Sequence, residues 1–495
     1  MPRTTTSDSN SSFFSMRKTE IVGVYATALA FPAMTLSISA TQILIGLSFA
    51  CFFIVFLQER LSARDSRHGS GTFRSLLNRL RELPPVWLAG CGLFVWLFLS
   101  GLLHSCADAF FAASAGHSGS FMDGALAFAD GMRRGAAGEW GDVALFLFGL
   151  LVYRHARRPE FQNALFGGLT AAFVLLILSG VAAAFSEFRL ARAIPHFFRQ
   201  LFEAAESDQL LASAANRPQH PFAVVGGWTV YRPIGFMNTR LTFAGLLMLT
   251  LPWAAGRTLL SRKRLVQLAW AAGVLAGGAL LLINGTRSIL LGAGVAGLLG
   301  LWLLLRTRGW RRRTLALAAL VAGLSALSLV SFSDAVRLQS DRALARVQRH
   351  TDFARPILWT VAGELTAARP VLGVGPGNFE RAGLEWREAF VREHPETLYF
   401  FRNTPRGHAH NDLLHLAATG GLPAALFFLA LVLFTTRELF ERAGDGRDAW
   451  LLLGAVGFFV AGIAQCYFQD DEVTTLYWAL LGLATGTANS LQRQE

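Results

Sequence analysis

Apolar residues in this chain gather in long unbroken runs, neither the alternation of a half-buried strand nor the narrow stripe of a soluble helix. Runs of about 17 to 25 residues suffice to cross a hydrocarbon core of about 30 Å. They stand near residues 21–38, 39–57, 86–104, 141–153, 162–186, 240–256, 265–284, 287–305, 314–332, 413–436, 449–467 and 473–489. The fourth is the shortest, and its apolar centre "VALFLFGLLVY" must borrow Trp140 and flanking residues to span. After the ninth run, "RALARVQRHTDFARPILWTVAGELTAARP" carries apolar residues at helical spacing, and "VLGVGPGNF" supplies a turn-rich break. The pattern predicts an all-α polytopic membrane protein with about 12 transmembrane helices. Its expected order is a tail at 1–20, spans one to nine over 21–332, a large outer loop with short helices over 333–412, spans ten to twelve over 413–489, and a tail at 490–495.

Composition agrees: 53% of residues are hydrophobic, mean hydropathy is +0.41 and only 16% are charged, against about 25% in an average soluble domain. The first run follows a Ser/Thr-rich start with Arg17 and Lys18 and has no small-residue cleavage site, so it reads as a retained span. The net charge of +12 does not point to nucleic acid, because the arginines sit in short connections between apolar runs. They include Arg60, Arg64, Arg67, Arg74, Arg79 and Arg81 in 58–85, "RHARRPE" at 154–160, "RTLLSRKR" at 257–264, "RTRGWRRR" at 306–313, and Arg437 at the start of 437–448. These are every second connection, and the positive-inside rule puts them and both termini in the cytoplasm. The connections 104–140, 187–239, 285–286, 333–412 and 469–472 then face outward, toward the periplasm of a Gram-negative cell. Cys51, Cys91, Cys106 and Cys466 have no paired spacing and indicate neither zinc nor a disulfide framework. Cys51 and Cys91 are expected in the core, while Cys106 and Cys466 fall near outer span ends, where a bond is geometrically open.

Ionisable groups at span edges are costly and mark candidate chemistry. "GHAHNDLLHL", residues 407–416, brings His408, His410, Asn411, Asp412 and His415 to the mouth of the tenth run. A metal site, a transporter's proton relay and a general base are the competing explanations. His408 and His410 at i, i+2 do not share a helical face, and no Glu lies between His410 and His415, so a metal site is disfavoured. Asn411 or Asp412 suits the N-cap of the following helix. Arg240, in "GFMNTRLTFAGLL", and Arg287, in "LLINGTRSILLGAG", open the sixth and eighth spans at the same outer face as His410. An arginine at a span end is commonly a headgroup anchor, but on the outer face Arg287 runs against the positive-inside bias. Two guanidinium forks suit a diphosphate, and an imidazole can take a proton from a hydroxyl near neutral pH. Together they suggest attack by a hydroxyl on a carbon whose leaving group is a lipid diphosphate. The glycines of "GVGPGN" read as an ordinary turn, since no strand precedes them and no Lys-Ser/Thr follows. Twelve spans also suit a secondary transporter, but the notable charges lie at outer span ends, and the two halves show no matching interrupted helices.

Over roughly residues 235–436 the chain resembles the O-antigen ligase family, in the same superfamily as the O-antigen polymerases. The resemblance rests on His410-Asn411 followed after nine residues by Gly421 in "HNDLLHLAATGGLPA", on Arg287 and Leu291 in "TRSILL", and on Arg355 and Trp359 in "RPILWTVAGELTAARPVLGVGPGNF". Ala424 departs from the Gly, Thr or Tyr frequent at its position in the family, and the first five spans carry no matching motif. The resemblance implies a metal-independent, inverting glycosyltransferase of the GT-C type, using no cofactor. Such an enzyme moves a glycan from undecaprenyl diphosphate to a sugar hydroxyl of lipid A core, at the periplasmic face of the bacterial inner membrane. It implies His410 as the base and Arg240 and Arg287 as the diphosphate ligands, with Arg355 and Asn411 also at the substrate. A polymerase or a protein O-oligosaccharyltransferase of the same superfamily makes the same demands on these residues.

Overall fold

The structure, a computed structural model, describes residues 7–64, 83–114, 121–187, 189–190, 219–306, 345–404, 407–442 and 448–491. The expected ninth span at 314–332, most arginines of 58–85 and the start of the large outer stretch lie outside the described residues. The helices are α1 (Ser7–Met34), α2 (Ile38–Arg64), α3 (Pro85–Ser114), α4 (Phe121–Ala137), α5 (Val143–Ala156), α6 (Pro159–Ala184), α7 (Arg240–Leu260), α8 (Arg264–Asn284), α9 (Arg287–Arg306), α10 (Ala345–Ala368), α11 (Phe379–Glu393), α12 (Leu398–Asn403), α13 (Asp412–Glu441), α14 (Asp448–Gly462) and α15 (Asp471–Leu491). Seven of them, α2, α3, α6, α7, α8, α9 and α13, are long and apolar enough to cross a membrane, and α5 and α14 are shorter apolar helices. The chain is therefore an all-α polytopic membrane protein in its architecture.

Helix α15 is the centre of the bundle, with Tyr477 to Leu481 all fully buried. It meets α5 through Gly482 and Gly486, where an added Cβ would fall 2.5 Å from the Gly149 carbonyl oxygen and 2.6 Å from that of Tyr153. Small residues four apart let two backbones approach this closely, the usual route to helix association in lipid. Around that contact Trp87, Phe94, Phe146 and Trp478 stack and tilt on one another. The Trp87 indole N–H is satisfied by the Thr485 hydroxyl at 3.1 Å, as a buried polar group requires.

Three features bear on the candidate site. Helix α13 is broken at Gly421 (φ 74°, ψ −179°), followed by Pro423. The carbonyls freed there are met by neighbours: Val374 N–H donates to Ala418, Gly375 N–H to Thr419 and Trp96 Nε1 to Gly420. Interrupted helices are tolerated at membrane depth only with such compensation. The glycine turn 373–377 is thus docked into the broken helix, and the Gly377 N–H is spent on Glu139. Its amides work as a structural clasp rather than a phosphate cradle. Secondly, the eleventh expected span is helical only to Gly462; residues 465–468 then turn back, buried, into the end of the bundle. Thirdly, residues 345–403 fold into α10, α11 and α12 over a small core of Leu358, Val361, Ala362, Phe379 and Ala409.

Two elements were not anticipated. Residues Pro221–Val225 and Trp228–Tyr231 form an antiparallel hairpin, β1–β2, across Gly226 and Gly227, both with positive φ. Two such residues in a two-residue loop are the mark of a type I′ turn. Helix α4 is a short amphipathic helix in the 104–140 connection. Cys106 and Cys466 are both free, the first exposed and the second buried; Cys51 is buried and Cys91 half-buried.

Candidate functional site

Three helix starts set the site. Helix α7 begins at Arg240, where the Thr239 hydroxyl caps the end by accepting the Thr242 N–H at 3.1 Å. Helix α9 begins at Arg287, just after Gly285 turns the chain in the left-handed region (φ 69°). Helix α13 begins at Asp412, capped by the Asn411 side-chain oxygen on the Leu414 N–H at 2.9 Å. The buried Asn284 amide donates to the carbonyls of Pro233 at 2.8 Å and Arg240 at 3.1 Å, tying the α8–α9 turn to the strand leading into α7. Arg240 and Arg287 are exposed at this end of the bundle.

Arg232, not singled out in the sequence, joins them. Burial first, then the charges of Arg240 and Arg287, hold its guanidinium below its usual value, so the three cations share one neighbourhood. Among the described residues Arg232, Arg240 and Arg355 have no carboxylate partner. The nearby Asp470 accepts the Thr242 hydroxyl at 2.7 Å, and burial raises its carboxyl to about 6.

His410 sits in the approach to α13. It is the one non-glycine with positive φ (51°) among the described residues, a conformation that usually costs about 1–3 kcal/mol and persists where the surroundings enforce it. The enforcement comes from the 463–468 connection. Gln465 Oε1 lies 2.5 Å from His410 Nδ1, Asn411 Nδ2 donates to the Ile463 carbonyl at 2.8 Å, and Asp412 Oδ1 accepts the Phe468 N–H at 3.0 Å. With an amide oxygen against it, Nδ1 carries the proton, which leaves the Nε2 lone pair free. Burial is the largest influence on His410; the Gln465 contact opposes it, the charges of Arg355 and His415 assist it, and the imidazole stays below its usual value. His410 is therefore neutral at neutral pH. Arg355, half-buried in α10, also acts on Tyr467, whose hydroxyl is 3.2 Å from that of Ser288, beside Arg287. Residues 463–468 thus run between the arginine trio and the imidazole.

His415 faces inward. Its Nε2 lies 2.7 Å from Glu139 Oε1, both side chains nearly inaccessible, although the ring N–H points off that line. Glu139 Oε2 accepts the Gly377 N–H at 2.6 Å. Burial pushes the Glu139 carboxyl up, but His415 and the amides outweigh it and hold it below the usual value. The pair pins α13 to the α4–α5 turn and the glycine clasp, a structural post. The His408 ring stands edge-on to His410 with centroids 4.4 Å apart, and burial lowers its pKa to about 4. Among the described residues no group of three or more His, Cys, Asp or Glu is arranged to hold a metal ion. A cavity of about 260 Å³ at the other end of the bundle, lined by Gln162, Asn163, Trp253, Arg257 and Trp450, touches none of these residues. The convergent charged groups mark the candidate site better than that void does.

No curated protein matches the chain. Residues 271–429 match a family model described as O-antigen ligase. The matched segment contains Arg287, Arg355, His410, Asn411 and the helix break at Gly421, while Arg232 and Arg240 lie ahead of it. Over this segment, about a third of its length, the chain is similar to the O-antigen ligase family.

Proposed function

We propose that the protein is an O-antigen ligase with about twelve membrane spans. It moves a glycan from undecaprenyl diphosphate to a sugar hydroxyl of lipid A core, at the periplasmic face of the bacterial inner membrane. The observation that carries the reading is the meeting of a neutral imidazole with Arg232, Arg240 and Arg355, which have no carboxylate partner among the described residues, at one end of the bundle and in or beside the matched segment.

In this reading Arg232, Arg240 and Arg287 hold the donor diphosphate, and Arg355 and Asn411 line the approach of the sugars. The acceptor hydroxyl loses its proton to His410 Nε2 as its oxygen bonds to the anomeric carbon. The bond from that carbon to the diphosphate oxygen breaks, and its electron pair leaves on the diphosphate. A single displacement of this kind inverts the anomeric configuration. The arginines matter most as negative charge grows on the leaving oxygen. Cleavage of the bond between the anomeric carbon and the diphosphate, a good leaving group, supplies the driving force, and the reading calls on no metal ion or other cofactor.

The test is transfer in detergent by the purified protein, with a defined undecaprenyl-diphosphate glycan and core oligosaccharide. The expected product is a core-linked glycan of inverted anomeric configuration. Chain extension without core linkage would identify a polymerase, and a protein O-oligosaccharyltransferase would instead need a polypeptide acceptor. Failure to transfer, with substrate flux in vesicles, would identify a transporter.

A further inference from the structure

We infer that Gln465 is the positioning residue of the site: its side-chain oxygen fixes His410 in the tautomer whose Nε2 faces the substrate. The inference rests on the reading of His410 as the base, and it concerns a residue outside the matched segment, 55 positions further along the chain.

A base needs one particular nitrogen free, and an imidazole has two. An acceptor-only group against Nδ1 decides which. Gln465 supplies that group from a buried position, at 2.5 Å. The backbone that carries the ring is fixed beside Gln465, because His410 is held in the left-handed region while the next two residues are bonded to the same 463–468 connection. The other groups facing His410 are Arg355 from α10, His415 from α13, which is itself engaged by Glu139, and His408 in the same approach. Among the described residues it is Gln465 that bonds an imidazole nitrogen of His410, so the tautomer falls to Gln465. A neutral amide does this without adding charge. A carboxylate there would hold the same tautomer but raise the pKa by about 1–3 units, leaving the base protonated over more of the working range.

The test combines two variants and two readouts. Gln465→Glu keeps the acceptor and adds charge; Gln465→Leu removes the acceptor. Peptide-resolved labelling of His410 with diethyl pyrocarbonate, followed against pH, reads its protonation whether or not glycan is transferred. The acid limb of kcat reads it in turnover. Gln465→Glu is expected to raise both midpoints by about one unit or more. Gln465→Leu is expected to lower kcat about 10- to 100-fold at unchanged donor KM, as loss of the working tautomer does. Unmoved midpoints in Gln465→Glu, with His410→Ala inactive, would overturn the inference and leave the functional reading standing. An active His410→Ala would overturn the functional reading instead, and the labelling midpoint would still decide whether Gln465 controls the ring. Should Gln465→Leu fail to fold, Gln465→Glu alone decides.

Discussion

The two ends of the helix bundle use arginine differently. At the end away from the candidate site, Arg158 pairs with Glu20 at 2.6 Å, Arg154 reaches Glu59 at 3.8 Å, Arg437 pairs with Glu441 at 2.7 Å, and Arg442 is bound to Glu438 and to the Ala484 carbonyl. Arg306 and Arg257 lie over the rings of Trp302 and Trp270. At the other end Arg232, Arg240 and Arg355 have no carboxylate partner among the described residues, and burial raises the nearby Asp470 carboxyl to about 6. The first arrangement is complete in itself and anchors helices. The second gathers cations at mutual cost, and an anionic ligand would relieve that cost.

That contrast can be attacked at several points. The largest expected effect is on His410→Ala, which should lower the transfer rate by about 10² to 10⁴ in a reconstituted assay while the protein still folds; a rate near wild type would remove the base from the account. Gly421→Ala comes next, because the backbone there (φ 74°) disfavours any side chain and the new Cβ would lie 2.1 Å from the Val371 oxygen. Backbone strain alone predicts a loss of about 1–3 kcal/mol, seen as a lower midpoint of thermal unfolding in detergent. Arg287→Lys keeps the charge and loses the fork, and kcat/KM should fall about tenfold or more; full activity would make Arg287 a headgroup anchor. Arg355→Gln has a smaller effect with a definite sign. The Arg355 charge holds the His410 imidazole down, so its removal lets the pKa rise toward the ordinary value of about 6.5. The neutral base is then lost at a higher pH on acidification, and the acid limb of the rate profile moves up by about a unit or less.

Much of this was legible in the sequence, for a physical reason. Spanning helices are bounded by hydrocarbon thickness, so run length alone located α7, α8, α9 and α13, and Arg240 and Arg287 followed as the first residues of α7 and α9. An N-cap at Asn411 or Asp412 was legible from local chemistry, and it is Asn411. The helix Ala345–Ala368 followed from its apolar spacing. What escaped depends on distant contacts or on a signal passed over. Gln465 and Glu139 gain their roles from partners 55 and 276 positions away, His410 and His415, and nothing local distinguishes them. Arg232 lies in an irregular stretch and shares a neighbourhood with Arg287 where Asn284 ties the two segments together. The break at Gly421 was visible as a motif, but not as a kink whose carbonyls are satisfied by the glycine turn of another segment. The β1–β2 hairpin had a local signal: two glycines between "PFAVV" and "WTVY".

The most direct test of the contrast is the affinity of the purified protein for undecaprenyl diphosphate itself, without acceptor, compared between two double variants. Arg232→Ala with Arg240→Ala should weaken binding by at least about tenfold, as loss of charge-assisted hydrogen bonds worth about 1.5–3 kcal/mol each implies. Arg154→Ala with Arg158→Ala, at the paired end, should leave it within about twofold, since exposed ion pairs contribute about 0–1 kcal/mol and to stability alone. Equal affinity in the two double variants would contradict the account.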